Sequence, residues 1–352
     1  MLNRKTIVFL VFLVGSGAWS AFSGGQDSKS KKQAEEPRPT IRAQVNMVSL
    51  PVVVTTREGR RITDLKQEDF RVFEDGVEQS IAGFRGTDEP VSIALAIDTS
   101  GSTEEQLGRM QNAAIEFCTS LHPDDSVAVL SFAEDVRLQG GFSIDPNRNA
   151  YAIKKTRPGG CTVIYEAVYL AMEEVLKPVQ ERKSLVLFSD GVDTCSRKAS
   201  EKETLEQAKE ADTTIYCVYY NTEEDNFYRP RRSTAGGVGG VGGIGYPPMG
   251  GPPMGGPGGY GSYGDDYRRG HNYLTRLAEY SGGLVLDALS MQDLGPAFDQ
   301  IARELSSQYS IGYYSTNTKE DGKFRKVQVK LKKPDLVART RMGYYAPKAK
   351  KS

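Results

Sequence analysis

Histidine, cysteine and tryptophan are all scarce in this 352-residue chain, and positive and negative charge cancel. The two histidines are His122, at a helix end beside Pro123, and His271, beside a Gly-rich tract. Both read as helix-terminal residues, so a Ser-His-Asp hydrolase has no well-placed base. Four cysteines are too few for a disulfide scaffold, and the fold must rest on its core. Lys+Arg and Asp+Glu stand at 45 each, with no basic concentration beyond the short tail Lys348 to Lys351. That balance argues against a nucleic-acid or anionic-membrane partner. The apolar run Ile7–Val14 falls short of the roughly 20 residues of a spanning helix, so no stable transmembrane span is expected.

What that run does resemble is an export signal. Arg4 and Lys5 precede it, and small residues follow at Gly15–Ala18, Ser20, Ala21 and Ser23. Residues 1–23 are therefore expected to be a cleaved signal peptide that takes the single Trp19 with it. An exported, periplasmic, envelope-associated or secreted location follows. Residues 24–44 are polar, charged and Pro-containing, the composition of a disordered linker.

The remainder divides by pattern. Residues 45–86 hold short strand-like runs broken by turns, with Asp75-Gly76 as a hairpin turn. Residues 90–307 alternate strands and helices, which implies an α/β domain with an open, mostly parallel sheet and helices on both faces. A Gly/Pro/Met/Tyr-rich tract containing two PPMGG copies interrupts it, giving an insertion over 221–269. Residues 308–347 return to strands. Neither β-segment is large enough for its own core, so both are expected to pack together as one small β-domain.

Candidate chemistry lies at three strand ends. The buried strand Val91–Ile97 stops at Asp98, followed by Ser100, Gly101 and Ser102. Alternating oxygens in a tight turn can converge, and hard oxygens suit a hard divalent cation. Ser102 is equally placed to cap the next helix, with Glu105 as its capping-box partner. A Gly159-Gly160-Cys161-Thr162 loop opens a later helix, and the strand Leu185–Phe188 runs into Ser189-Asp190-Gly191. Loops beyond the carboxyl ends of parallel strands share one face, so Asp98, Ser100, Ser102, Thr162 and Asp190 are expected to meet there and hold Mg²⁺, or Mn²⁺ or Ca²⁺. Two other chemistries fit less well. Asp98-Thr99-Ser100-Gly101 carries an additional Ser relative to the turn of an aspartic protease, which also needs a second copy and an all-β fold, and a dehalogenase-like hydrolase needs Asp-x-Asp where this chain has Asp-x-Ser.

The joint pattern resembles the metal-ion-dependent adhesion site of von Willebrand factor type A domains: a D-x-S-x-S turn, a Thr after a Gly-rich loop, and a strand ending in S/T-D-G. Longer stretches, among them VVVTTREGRRITDLKQEDFRVFEDGVEQSIAGF, LFSDGVDTCS and QYSIGYYSTN, are similar to an exported bacterial family of such proteins first grouped in acidobacteria. The resemblance runs from Val45 to Tyr345, apart from the insertion. It implies a Rossmann-like fold, an extracytoplasmic location and the metal site. The open oxygen site, the export signal, the balanced charge and the lack of a nearby catalytic base point to a non-enzymatic module whose metal captures an Asp or Glu of a protein partner. The Gly-Gly-Cys-Thr loop departs from the usual Gly-Gly-Thr by one residue, which bears on Thr162. The alternative reading is a structural envelope protein with a vestigial metal site that makes its contacts through the insertion, with an uncharacterised hydrolase a further option. Of the cysteines, Cys161 and Cys195 fall in two loops of the metal face and can pair, or all four stay free; Cys118 and Cys217 read as core thiols.

Overall fold

The computed structural model describes residues 47–220 and 261–348. The signal peptide, the linker and residues 221–260 of the insertion lie outside the described residues. The chain opens with β1 (Met47–Thr56), β2 (Phe70–Glu74), β3 (Val77–Gln79) and β4 (Ile81–Arg85). Asp75 and Gly76, at φ 48° and 85°, turn β2 into β3. Both central residues having positive φ is what a two-residue hairpin requires, and Asp-Gly supplies it.

The α/β part follows as β5 (Val91–Asp98), α1 (Leu107–Ser120), β6 (Ser126–Phe132), β7 (Val136–Ser143), α2 (Pro146–Lys154), α3 (Ile164–Leu170), β8 (Arg182–Ser189), α4 (Glu201–Glu210) and β9 (Thr214–Tyr220). After the insertion come α5 (Gly261–Ser281), β10 (Val285–Ala288) and α6 (Leu294–Leu305). Six strands form one sheet in the order β10-β9-β8-β5-β6-β7, parallel throughout except for the edge strand β7. The alternation within β5 sorts its side chains. Ile93, Leu95 and Ile97 face α1 and α6, while the small Ala94 and Ala96 face α3 and α5. All five are fully buried. Each of the large three contributes about 1.5–3 kcal/mol relative to exposure. The sequence order reverses around β5, whose neighbours are β6 on one side and β8 on the other. Such a switch point opens a crevice at the carboxyl ends of the strands.

The chain closes with β11 (Gln308–Tyr314), β12 (Phe324–Leu331), β13 (Leu336–Arg339) and β14 (Gly343–Tyr345). These strands interleave with the first four to give two antiparallel sheets, β13-β1-β11-β4 and β14-β12-β2-β3. Leu50, Val52, Val54, Phe70, Val72, Tyr309, Ile311 and Tyr313 form one core that neither segment could build alone. An ionic clamp ties this part to the α/β part. The buried Glu304 of α6 accepts from Arg61 at 2.8 Å and also from Arg339, whose guanidinium donates in addition to the carbonyl of Gly283 at 2.9 Å.

Three elements differ from the sequence expectation. Residues 261–269 belong to α5 rather than to the insertion, which ends before residue 261. Ion pairs one turn apart support that stretch, Arg268 with Asp265 at 2.8 Å and Arg269 with Asp266 at 3.6 Å. β7 extends to Ser143, beyond the short strand around Val136–Leu138 that the sequence suggests, and its Gly140 lies where a side chain would stand 2.9 Å from the Cβ of Ala152 on α2. Ser102 caps no helix: α1 starts only at Leu107, after a 3₁₀ turn over Gly101–Thr103.

Candidate metal centre

Asp98 ends β5 with its side chain completely buried. One carboxylate oxygen accepts the backbone N–H of Ser100 at 3.0 Å, and the other accepts the hydroxyl of Ser189 at 2.7 Å. Ser189 ends the neighbouring strand β8, and its oxygen in turn accepts the N–H of Gly191 at 3.0 Å. Asp190 is 4 % exposed, and its carboxylate accepts the N–H of Val192 at 3.0 Å. The Ser100 and Ser102 hydroxyl oxygens lie 3.2 Å apart on the turn after β5.

The Gly-rich loop closes on that turn through its backbone. Gly101 N–H donates to the Gly160 carbonyl at 2.8 Å, and Gly159 N–H to the Thr99 carbonyl at 2.7 Å. Side chains would prevent the approach: a Cβ on Gly159 would come within 2.3 Å of the Ala133 Cβ. Two residues on, Thr162 is bound to the loop after Asp190. Its N–H donates to the Thr194 hydroxyl at 2.7 Å, and its carbonyl accepts the N–H groups of Thr194 and Cys195 at 2.9 and 3.1 Å. A Cys161–Cys195 disulfide fastens the same two loops, while Cys118 and Cys217 are buried free thiols. The structure thus links the three loops that carry the predicted residues: Asp98 reaches β8 through Ser189, and the Thr162 loop joins the other two by hydrogen bonds.

The electrostatics are those of a site short of positive charge. Burial raises the Asp98 carboxyl above the usual range, against the pull of the Ser189 and Ser100 hydrogen bonds. Burial, and then the charge of Asp98, pushes Asp190 up to about 7. Neither carboxylate has an ion-pair partner among the described residues. Tyr220, at the end of β9, adds an orphan: its hydroxyl is fully buried without a hydrogen-bond partner among the described residues. Burial and the charges of Asp98 and Asp190 hold that phenol protonated. Two buried carboxylates, serine and threonine hydroxyls and an unsatisfied phenol fit a hard divalent cation. Among the described residues no group of three or more His, Cys, Asp or Glu is placed to hold a metal ion, so a cation here would need the hydroxyls beside the two carboxylates.

Sequence reasoning missed three contributors. Ser189 reads as a packing or capping residue, yet it orients Asp98. Tyr220 sits in an unremarkable apolar strand. Gly270 lies on α5 with its backbone against Gly191, where a side chain would stand 2.7 Å from the Asp190 carbonyl oxygen. Only the Ser189-Asp190-Gly191 spacing carried any trace of these roles.

The family model of the von Willebrand factor type A domain matches residues 93–192, the span from β5 through all three loops. The chain carries a von Willebrand factor type A domain. The domain's likeness to solved structures is broad and distant. Proximal thread matrix protein 1 of the mussel byssus, solved with a zinc-occupied MIDAS motif, is 16% identical with a TM-score of 0.43 over 65% of this chain and 48% of that one. The chain thus spans about half the length of the mussel protein. BatB from Bacteroides thetaiotaomicron is 18% identical, with a TM-score of 0.39, over 61% of this chain and 97% of that one. The vWF domain of the pilus tip protein Mfa5 from Porphyromonas gingivalis is 12% identical, with a TM-score of 0.42, over 61% and 94%. Likeness of this degree says nothing of ligand or partner. No curated protein matches the sequence.

Proposed function

We propose that this protein is an exported, non-enzymatic binding module. Its von Willebrand factor type A domain holds a divalent cation at Asp98, Ser100, Ser102, Thr162 and Asp190, and captures an Asp or Glu side chain of a protein partner there. The observation that carries the reading is the pair of buried carboxylates, Asp98 and Asp190, at adjacent strand ends with hydroxyl neighbours and no ion-pair partner among the described residues. Bringing two such groups together without positive charge is costly, and a divalent cation offsets that cost. When bound, Mg²⁺ or Mn²⁺ among so many neutral hydroxyls would keep charge to spare for an incoming carboxylate.

The chain's own residues prepare the site. Ser189 and the Ser100 N–H hold the Asp98 carboxylate in one orientation, so it need not reorganise when the cation arrives. The backbone bonds among the three loops fix the hydroxyls relative to the carboxylates. Export is supported by the N-terminal sequence and by the disulfide, which an oxidising compartment favours. No helix among the described residues is long and apolar enough to cross a membrane.

The test is a pull-down from bacterial envelope extract with Mg²⁺, with EDTA, and with Asp98→Ala. Partners lost under both perturbations support metal-mediated capture; the same partners in all three conditions overturn it.

A further inference from the structure

A polar pocket of about 200 Å³ adjoins the metal turn. Thr99 and Gly159 belong to its lining, and its charged lining residues are Glu134, Asp135, Arg137, Lys155 and Arg157. Thr99 sits between Asp98 and Ser100, and its carbonyl accepts the Gly159 N–H, so pocket and metal turn share one wall.

The charge around this pocket is lopsided in a chain whose total charge is zero. Residues 146–165 contain Arg148, Lys154, Lys155 and Arg157 and not one Asp or Glu. All four cations are exposed. The pocket's two acids are already engaged: Glu134 accepts the Gly160 N–H, and Asp135 pairs with Arg137 at 2.9 Å. The Lys155 ammonium lies 5.4 Å above the Tyr151 ring. Arg157 Nη1 donates to the carbonyls of Lys154 and Thr156 at 2.8 and 3.0 Å. Neither cation has a carboxylate partner among the described residues. With Asp135 neutralised by Arg137 and the Glu134 charge met only by a neutral N–H, the two remaining cations leave the pocket about one positive charge in excess, which attracts a monoanion. Glu134 and Asp135 on the same wall repel a dianionic phosphate or a dense polyanion more than a single carboxylate.

We propose that this pocket is a second carboxylate subsite, which receives a further acidic side chain from the same partner segment whose first carboxylate meets the metal. The proposal rests on the metal reading and deepens it: the partner presents an exposed segment with two or more Asp or Glu residues. The metal supplies cation-dependent affinity, and Lys155 and Arg157 select for the second acid. Two exposed ion pairs on one tethered ligand strengthen binding by about three- to tenfold.

The test uses synthetic Gly-rich peptides, acetylated and amidated, with either one Asp or an Asp followed by a Glu after one to five further residues. Amide chemical shifts are titrated up to about 10 mM, a range that captures millimolar affinities. Wild type, Asp98→Ala and the double variant Lys155→Gln/Arg157→Gln are compared in Mg²⁺ and in EDTA. The expected result is a three- to tenfold gain for at least one two-acid spacing, abolished in the double variant. The single-acid peptide should bind the double variant as it binds wild type, and lose binding in EDTA and in Asp98→Ala. A gain that survives in the double variant, no gain at any spacing, or no shift with any peptide overturns the subsite. Where the single-acid peptide still depends on Mg²⁺ and Asp98, the metal reading stands without it. Peptide binding unchanged in EDTA overturns the metal reading and, with it, the subsite. Vesicles with about a third anionic phosphatidylglycerol supply the remaining arm: retention lost in the double variant, without any peptide gain, assigns the basic face to lipid and overturns the proposal.

Discussion

Ser189 donates its hydroxyl to Asp98 at 2.7 Å while accepting the N–H of Gly191, so one side chain couples the ends of two neighbouring strands. A charge-assisted hydrogen bond in a fully buried setting is stronger than an ordinary one. Ser189→Ala leaves one Asp98 oxygen without its donor. The expected cost is about 1.5–3 kcal/mol in urea denaturation, with cation affinity lowered about 10- to 100-fold by calorimetry. Unchanged Mg²⁺ affinity in a folded variant would show that the orientation of Asp98 does not matter to binding.

The pH dependence of the cation-free protein follows from Asp190. Its carboxyl is raised from an ordinary 3.8 to about 7, so between these values the folded chain binds more protons than the unfolded one. Stability in EDTA therefore falls as pH rises through that window, by a few kcal/mol in all, at a slope of about 1.4 kcal/mol for each step of one in pH. Below about pH 4 the penalty is absent. Asp190→Asn removes that group and should reduce the slope to what the raised Asp98 carboxyl contributes, and saturating Mg²⁺ should flatten it in the wild type. Denaturant midpoints across pH 4 to 8 measure it; a stability that rises with pH in EDTA would contradict the arrangement.

Reduction separates the covalent from the non-covalent fastening of the loops that carry Thr162 and Asp190. Cys161 and Cys195 are 34 residues apart, and a loop of that size constrains the unfolded chain by about 3–4 kcal/mol. A reductant, or the Cys161→Ser/Cys195→Ser variant, should lower stability by up to that amount. The Thr162–Thr194 hydrogen bonds remain, so the loops stay docked and far-ultraviolet circular dichroism is unchanged. Cys118 and Cys217 should resist a thiol reagent until the chain unfolds, because burial pushes the Cys118 thiol up to about 12 and raises Cys217 as well. Native-state labelling of either thiol would disprove this.

That Asp98 and Asp190 stand at the ends of neighbouring strands was legible in the sequence because they follow apolar runs that end abruptly. Asp98 and Asp190 announce themselves by standing where Ile97 and Ser189 leave the sheet, and parallel topology then puts their loops on one side. The joint β-part was legible from size alone, since neither terminal segment holds enough apolar residues. What escaped notice depends on contacts between distant backbones or on an edge. Gly140 carries no sign of its closeness to Ala152, and the start of α5 looks like low complexity until Gly270 is found against Gly191. Tyr220 has no local mark that separates it from Tyr219 or Tyr216. Its role comes from the carboxylates that other strands bring to it.

Gly191 provides the sharpest test of how the third loop is held. Two effects bear on it: its φ of +77°, which side chains disfavour, and the contact with α5, where a Cβ would stand 2.6 Å from the Gly270 carbonyl carbon and oxygen. Gly76 isolates the first effect, since its φ is +85° but nothing lies within 4 Å of a Cβ there. Gly76→Ala should therefore cost only the backbone contribution, about 1 kcal/mol. Gly191→Ala carries that contribution and also forces α5 away from the loop, an overpacking cost of about 1–3 kcal/mol more. Because the displaced backbone follows directly on Asp190, cation affinity should fall in Gly191→Ala and stay at the wild-type value in Gly76→Ala. Denaturation and Mg²⁺ calorimetry on the pair decide the matter. Equal stability losses would mean that backbone strain alone fixes Gly191. A larger loss at Gly191 with wild-type cation affinity would mean that α5 supports the fold of the loop without positioning Asp190.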